Sequence, residues 1–459
     1  MNRKSGVIAA ALSFVFPGLG HAYLGRRRAA MVFGLPAVVT TAAMLTELAL
    51  GLDGLIAYVI TPAGAMTTLV LVLLTGLWRA IAVADCVLIA RRVGDSRPRL
   101  ALGAGAVVLV AVIAMHAAPA YLAWSMYDAS SHIFVGSGPD QAQVTQAPAS
   151  SDFGSGTTSP SASDDPNSEY QATPGETPAT PSSRINILLT GIDAFRTRSE
   201  ALNDTLLVVS LNPVDGSVAM LSLPRDLSNF PLFNGKTYSG KINSLMTFAA
   251  MHPTQFPDGP LPTLIKEVGY LIGVPIHYYA AVNLDGFRRM VDLVGGVTVT
   301  NDRAINDPRY DWLDGSPPGL FMPAGTQTLN GRMALAFVRS RQGLGDSDFT
   351  RARRQQALLL ALRTKLTSPS MLPKLPGILQ IAGDTVRTNL PSDRLEEFIT
   401  LARNVDTKSV QQFVLGPPYA TSPPMSTTGG VYTLVLDMKL IMKLSIRLFG
   451  SDSRYYTGP

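Results

Sequence analysis

Apolar residues crowd the first quarter of the chain and thin out abruptly after residue 127. Three apolar stretches, about 29–50, 55–77 and 101–124, are each long enough to cross a bilayer, which takes ~20 residues. A shorter piece, 6–24, is interrupted by Phe16-Pro17-Gly18-Leu19-Gly20 and reads as interfacial or re-entrant. Basic residues punctuate this pattern: Arg3 and Lys4, then Arg26 to Arg28, then Arg91, Arg92, Arg97 and Arg99. The loop between the first two spans carries Glu47 and Asp53 and no basic residue. Basic loops stay on the cytoplasmic side. Residues 1–127 therefore read as a multi-pass plasma-membrane anchor with a cytoplasmic N-terminus, and the rest of the chain as extracellular. Trp78 and Trp124 are expected at span ends, where interfacial aromatics belong.

Residues 128–183 lose the apolar pattern. They are rich in Ser, Pro, Thr and Gly and hold no Lys or Arg. Such a segment buries too little apolar area to offset its ordering entropy and reads as a disordered linker. As a coil it reaches roughly 40 Å. Periodicity returns at residue 184. Short Val/Ile/Leu-rich runs at 185–191, 205–212, 217–223, 277–283 and 297–300 predict strands. Helical spacing appears at 261–272, 284–294 and 348–366. The mixture predicts an α/β domain over 184–418, a mixed central sheet covered by helices on both faces. A C-terminal extension, 419–459, contains an amphipathic element at 431–448.

Composition adds exclusions. The chain is 46% hydrophobic and 15% charged, as expected for a membrane protein. A net charge of +5, with no basic stretch interleaved with aromatics, gives no case for nucleic acid. One cysteine, Cys86, excludes an internal disulfide, and the five histidines show no compact metal-ligand spacing. The stretch from Gly235 to Lys241 has phosphate-loop glycine spacing, but Ile242 stands where magnesium needs Ser or Thr. No Gly-x-Ser-x-Gly elbow occurs in the globular domain.

Charge is concentrated elsewhere. Five arginines lie between Arg339 and Arg354, interleaved with Asp346 and Asp348 and with no Lys. Arginine suits forked hydrogen bonds to phosphate. Carboxylates fall at strand ends: Asp193 after the first strand, Asp204 before the second, and Asp226 beside Arg225 after the third. If strands one and three run the same way and strand two opposes them, these residues share one edge of the sheet, where α/β ligands commonly sit. Carboxylates there suit Mg²⁺, which wants oxygen ligands.

The motifs NILLTGID (186–193), NDT (203–205), LSLPRD (221–226), KIN (241–243), DGF (285–287), LVGGV (293–297), FVRSR (337–341) and DFTRARRQQ (348–356) occur in that order. The chain resembles the LytR–CpsA–Psr family of cell-wall glycopolymer ligases over about 184–366. The resemblance implies an enzyme, a phosphotransferase that moves a glycopolymer from an undecaprenyl-pyrophosphate carrier to a peptidoglycan hydroxyl. It implies magnesium at Asp193 and Asp204. It implies pyrophosphate binding by Arg225, Arg339, Arg341, Arg351 and Arg354, with Gln355 beside them and Arg353 on the surface. The family often has Arg-Ser before the Asp-Thr pair; here Leu202 and Asn203 stand there, and Arg196 or Arg198 is the candidate replacement.

In this reading fixed arginines and Mg²⁺ stabilise the charge spread over the phosphoryl oxygens. Asp204, or else Asp193, helps deprotonate the acceptor hydroxyl. The Arg339/Arg341 pair is expected on a strand and Arg351/Arg354 on a helix, spacings that let each pair converge. Leu358, Leu359 and Leu362 are candidates for the wall of a lipid groove. Arg339→Ala and Arg354→Ala are both expected to leave the domain folded. A polyprenyl-pyrophosphate pyrophosphatase and a non-catalytic wall-polymer receptor remain as alternatives. The paired carboxylates favour catalysis, since a pure anion binder gains nothing from them.

Overall fold

The computed structural model describes residues 5–50, 52–92, 98–133, 184–192, 203–341, 343, 345–407 and 409–457. The chain divides into two compact units, Met1–Ser131 and His132–Pro459. Most of the 128–183 linker, and Asp193, Arg196, Arg198 and Leu202, lie outside the described residues.

The first unit contains helices α1 (Gly6–Val15), α2 (Leu19–Tyr23), α3 (Arg27–Leu50), α4 (Leu52–Ile60), α5 (Pro62–Arg92) and α6 (Pro98–Ile133). Three segments are long and apolar enough to cross a membrane: Arg27–Thr46, Pro62–Arg92 and Arg99–Ile133. The second of these lies later than the expected 55–77. Pro62 occupies the first helical position, where its missing N–H costs nothing. The Thr61 hydroxyl accepts from the Gly64 N–H at 3.0 Å, completing the cap. Trp78 consequently sits inside α5, donating its indole N–H to the Phe33 carbonyl at 3.1 Å. The last helix runs past 127 to Ile133.

The broken apolar piece folds as a helical hairpin. Ala9 and Ala10 pack against Val83, Cys86, Val87 and Ala90 of α5, and the Ser5 N–H donates to the Tyr23 hydroxyl, so the two ends meet. Ten residues of helix rise only ~15 Å, about half the apolar thickness of a bilayer. The turn requires glycine: Gly18 has φ 96°, and a Cβ there would lie 2.5 Å from the Ala30 carbonyl. Backbone groups in an apolar medium need internal partners. Arg79 supplies one, donating to the Phe14 carbonyl at the end of α1 at 3.2 Å. The returning leg is held by His21, which contacts Asp85 at 3.0 Å and stacks on Phe33 with ring centroids 4.6 Å apart.

In chain order the second unit holds β1 (Ile185–Ile192), β2 (Asn203–Leu211), β3 (Val218–Leu223), β4 (Ser228–Pro231), β5 (Thr237–Lys241), α7 (Leu245–Met251), α8 (Pro260–Ile272), β6 (Tyr278–Asn283), α9 (Leu284–Leu293), β7 (Val297–Asn301), β8 (Ile305–Asp307), β9 (Leu320–Met322), β10 (Gly325–Leu329), α10 (Gly331–Arg339), α11 (Asp348–Leu366), α12 (Leu375–Thr385), β11 (Val386–Thr388), α13 (Leu395–Asn404), β12 (Gln411–Val414), β13 (Ala420–Thr421), β14 (Val435–Leu436) and α14 (Met438–Phe449). The central sheet has the order β11-β6-β1-β2-β3-β12. β2 is antiparallel to both β1 and β3, while β6 is parallel to β1 and β12 parallel to β3. Strands one and three therefore run the same way, as the edge argument required.

Side-chain alternation sorts the two faces of the sheet. Leu206, Val208, Leu221 and Leu223 join a core with Leu264, Val268 and Leu271 of α8. Leu207, Val209, Val218 and Met220 face the other way, against Leu359 and Leu360 of α11. Each fully buried leucine contributes about 2 kcal/mol by leaving water. α8 ends at Gly273, whose φ of 78° is left-handed and whose missing Cβ makes room for the Tyr455 ring. A second core gathers α9, α10, α11 and the ribbons β7–β10 and β8–β9 around Val291, Ile305, Phe337 and Leu358. The predicted strand at 297–300 forms in one of these ribbons, outside the central sheet.

The structure corrects two sequence expectations. Residues 419–459 are not an extension: Leu434, Ile441, Leu444, Leu448 and Phe449 belong to the main core, because the apolar stripe of α14 covers the same face as α8. The Arg184 N–H also donates to Asp452 at 2.7 Å. Arg339 and Arg341 do not lie on a strand: Arg339 is the last residue of α10, and Ser340, in extended conformation, ends the helix. The Gly235–Lys241 spacing belongs to the β4–β5 hairpin, and Lys241 is committed to the Asp226 carboxylate.

Candidate functional site

The C-terminal ends of β1 and β6, the start of β2 and the turn after β3 share one edge of the sheet, and a cavity of about 220 Å³ opens there. This edge contributes Gly191, Thr205, Arg225 and Leu284. Val338, Arg339 and Arg341 arrive from the end of α10, and Arg351 and Gln355 from one face of α11. The rim is completed by Asp307, Arg309, Tyr310 and Asp311. At ~30 Å³ per water the space holds about seven waters, the scale of a diphosphate group.

Local structure explains how the arginines converge. α11 starts where it does because Ser347 and Thr350 form a capping box. Three residues on, Arg351 is buried and faces the cavity, with Asp348 at 3.0 Å. Gln355 lies one turn further on that face and donates to the Thr205 hydroxyl at 3.0 Å. Asp307, 2% exposed, accepts from the Ser340 hydroxyl at 2.7 Å and from the Arg341 N–H at 3.3 Å. It thereby fixes the Arg339–Arg341 segment. The Nη1 of Arg339 is buried and has no hydrogen-bond partner among the described residues. A buried donor without a partner costs about 1–3 kcal/mol, which an incoming anion would recover.

Arg354 does something else. It is 8% exposed and is absent from the cavity lining. It donates to the Ser340 carbonyl at 2.6 Å and pairs with Asp346 at 3.3 Å. Three residues from Arg351, it is rotated far enough about the helix to sit behind the cavity and brace Ser340. Burial pulls its pKa down, opposed by Asp346. Arg353 is exposed, as expected. The leucines do not form one wall. Leu358 and Leu362 pack into the second core, whereas Leu359 packs on the sheet. Adjacent helical residues point ~100° apart, so Leu358, Leu359 and Leu362 do not line the expected lipid groove.

Behind Arg225 and Arg351 lies a carboxyl pair that sequence reasoning did not recognise. Asp226, 4% exposed, is held by Lys241, has Arg225 at 3.6 Å and faces Asp348. Burial pushes Asp348 up, and the neighbouring Asp226 adds to this. Burial would raise Asp226 too, but Lys241, Asp348 and Arg225 together hold it below the usual carboxylate range. Arg309, Tyr310 and Asp311 were also missed, because they lie in irregular chain where polar residues show no period; Asp307, missed as well, ends the three-residue strand β8, too short to show one.

For magnesium, the described residues supply part of a test. A register shift at Gly191/Ile192 sets Asn203 opposite Ile192, so Asp204 follows at the cavity edge of β2. Asp193 is next in sequence after Ile192. Asp193 and the Asp204 side chain lie outside the described residues. The Thr205 hydroxyl, a hard oxygen donor of the kind Mg²⁺ takes, lines the cavity at this edge. Among the described residues no group of three or more His, Cys, Asp or Glu is placed to hold a metal.

Residues 152–452 match the LytR_cpsA_psr family. The chain belongs to that family. Among LytR_cpsA_psr relatives, the chain is similar to the polyisoprenyl-teichoic acid–peptidoglycan teichoic acid transferase TagU of Halalkalibacterium halodurans, 30% identical over 228 residues, which cover 50% of this chain and 68% of that protein. TagU proteins of Oceanobacillus iheyensis and Bacillus mycoides are each 34% identical, over 47% and 46% of this chain respectively. The chain spans 62% of the length of each of these two, just under two thirds. Among solved structures, B. subtilis TagV is 23% identical with a TM-score of 0.47, covering 60% of this chain and 99% of TagV. TagT bound to LIIa-WTA is 25% identical with a TM-score of 0.44, covering 60% and 92%.

Proposed function

We propose that this LytR_cpsA_psr protein is an extracytoplasmic phosphotransferase that moves a glycopolymer from an undecaprenyl-pyrophosphate carrier to a hydroxyl of peptidoglycan. The observation that carries this reading is the convergence of Arg225, Arg339, Arg341 and Arg351 on one cavity, where the buried Arg339 Nη1 has no hydrogen-bond acceptor among the described residues. The names of the TagU relatives, which join a polyisoprenyl-linked teichoic acid to peptidoglycan, support the same substrate class. The first unit anchors the protein in the bilayer. In the topology we favour, its three long apolar helices cross the membrane, the basic loops face the cytoplasm and the second unit lies outside.

In this mechanism the arginines bind the diphosphate and stabilise the charge that develops as the phosphoryl group transfers. Arg351 and Arg339 approach from two helices, so the diphosphate is gripped from two sides. Asp307, on the cavity rim, and Arg354, behind the cavity, hold the Arg339–Arg341 segment in place. Gln355 ties the start of β2 to α11 beside the anion. Asp193 and Asp204 would hold Mg²⁺, which when bound neutralises further phosphoryl charge.

The test is donor turnover by the full-length protein in detergent. Arg339→Ala is expected to lower kcat about 100-fold or more, as loss of one transition-state donor does elsewhere. Truncation gives up the contact with the Tyr310 hydroxyl but no bond at Nη1 among the described residues, so thermal stability should fall by only about 1 kcal/mol. Turnover within about threefold of wild type would remove the clamp. Release of polyprenyl phosphate only in the presence of peptidoglycan acceptor distinguishes transfer from hydrolysis.

A further inference from the structure

We propose that Asp311 is the base that takes the proton from the acceptor hydroxyl, and so is a catalytic residue of this site. The inference rests on the transferase reading and assigns a role that the arginines cannot fill.

Asp311 is exposed and lines the same cavity as Arg309, Arg339 and Arg341. Among the described residues no Lys or Arg lies within ion-pair distance of it. The other carboxylates around the site are committed. Asp226 is held by Lys241, Asp346 pairs with Arg354, and Asp348 with Arg351. Asp307 is buried and occupied by Ser340 and Arg341. A carboxylate that coordinates a divalent cation gives its lone pairs to the metal and is a weaker base. If Asp193 and Asp204 hold magnesium, proton removal falls to another group. Among the described residues, Asp311 is the lining carboxylate whose oxygens remain open to an incoming hydroxyl.

Its position is also fixed. The residue before it, Tyr310, is 7% exposed, and its hydroxyl lies beside the Arg339 guanidinium. The residue after it, Trp312, packs edge-on against the Tyr310 ring with centroids 4.8 Å apart. Gly319 ties both: its N–H donates to the Tyr310 carbonyl at 2.9 Å, and its carbonyl accepts from the Trp312 indole at 2.9 Å. Asp311 thus projects from a loop anchored on each side, with Tyr310 linking it to the anion end of the cavity. A preorganised carboxylate in this position meets the geometric demand on a general base.

The step balances without a further reactant. The acceptor oxygen forms a bond to the phosphorus that carries the glycopolymer. The bond from that phosphorus to the bridging oxygen breaks, and polyprenyl phosphate leaves with the electron pair. The hydroxyl proton passes to the Asp311 carboxylate and then to water.

The test uses the full-length chain in detergent, a synthetic polyprenyl-pyrophosphate-linked disaccharide as donor and an uncrosslinked peptidoglycan fragment as acceptor. Asp311→Asn is expected to lower kcat about 100-fold or more while donor KM changes less than about threefold. It is also expected to abolish the rise of kcat with pH on the acid side of the profile, and Asp311→Glu to restore part of both. Asp314→Asn, on the same loop but paired with Arg332 at 2.8 Å and outside the cavity, serves as the unchanged control. If wild type transfers and Asp311→Asn keeps either its kcat or its acid limb, Asp311 is not the base, and the transferase reading stands. If wild type consumes no donor, both fall.

Discussion

Arg354→Ala separates the arginines that line the cavity from the arginine that braces them. By its sequence position alone this substitution is expected to spare the fold. The structure argues otherwise. Truncation removes a 2.6 Å charge-assisted hydrogen bond to the Ser340 carbonyl and the ion pair with Asp346. A hydrogen bond to a charged group is worth about 1.5–3 kcal/mol, and breaking a buried ion pair costs about 3–5 kcal/mol. These terms overlap, and Asp346, its side chain only 5% exposed, keeps a 3.3 Å contact with Arg303. The lower end of the range therefore applies, about 3 kcal/mol. For a unit of this size that is roughly 5–10 °C in Tm. Thermal melts of the full-length protein in detergent, with Arg339→Ala alongside, give the comparison. Arg354→Ala should melt well below wild type and Arg339→Ala close to it. An Arg354→Ala variant that melts within about 2 °C of wild type would refute the bracing role.

Two further outcomes are expected. Glu267 on α8 is fully buried, and burial pushes its carboxyl from 4.5 up to about 8 despite the Phe233 N–H and the charge of Arg454. The folded state keeps a proton that the unfolded chain loses above pH 4.5, so stability is fully present below that pH and falls as pH rises towards about 8. Urea denaturation should show Glu267→Gln more stable than wild type by up to about 3 kcal/mol at pH 7 and much less so at pH 5; parallel profiles would count against a neutral Glu267. Donor turnover should stop in chelator and return with Mg²⁺, and undiminished turnover without divalent ions would remove Asp193 and Asp204 from the site.

Much of the second unit was legible because its strands alternate and its helices carry clear start signals. The expected runs at 185–191, 205–212 and 217–223 became β1, β2 and β3 within two residues at each end, and Ser347 marks the start of α11. The misread elements are those set by tertiary context. The Arg-Ser-Arg alternation at 339–341 imitates a strand, yet the upstream α10 carries the chain up to Arg339, the Ser340 N–H still donates to the Ala336 carbonyl, and tertiary bonds to Asp307 and Arg354 fix Ser340 and Arg341 beyond it. Arg351 and Arg354 look equivalent in sequence, and rotation about the helix separates them. Hydropathy alone slid the second span, because a window average does not register Thr61 and Pro62 as a helix start. Asp311 carries no periodic signal, and its neighbours reach it through a loop closed at Gly319.

The bond between the Arg184 amide and Asp452 has a consequence for biogenesis. The opening strand of the second unit is secured by a carboxylate 268 positions downstream, and α14 fills a gap over the same sheet. A ribosome adding about 5–20 residues per second takes roughly 15–50 s to cover that distance. Throughout that interval the core lacks the cover of Ile441, Leu444 and Leu448. That layer stays half-finished until the covering helix docks.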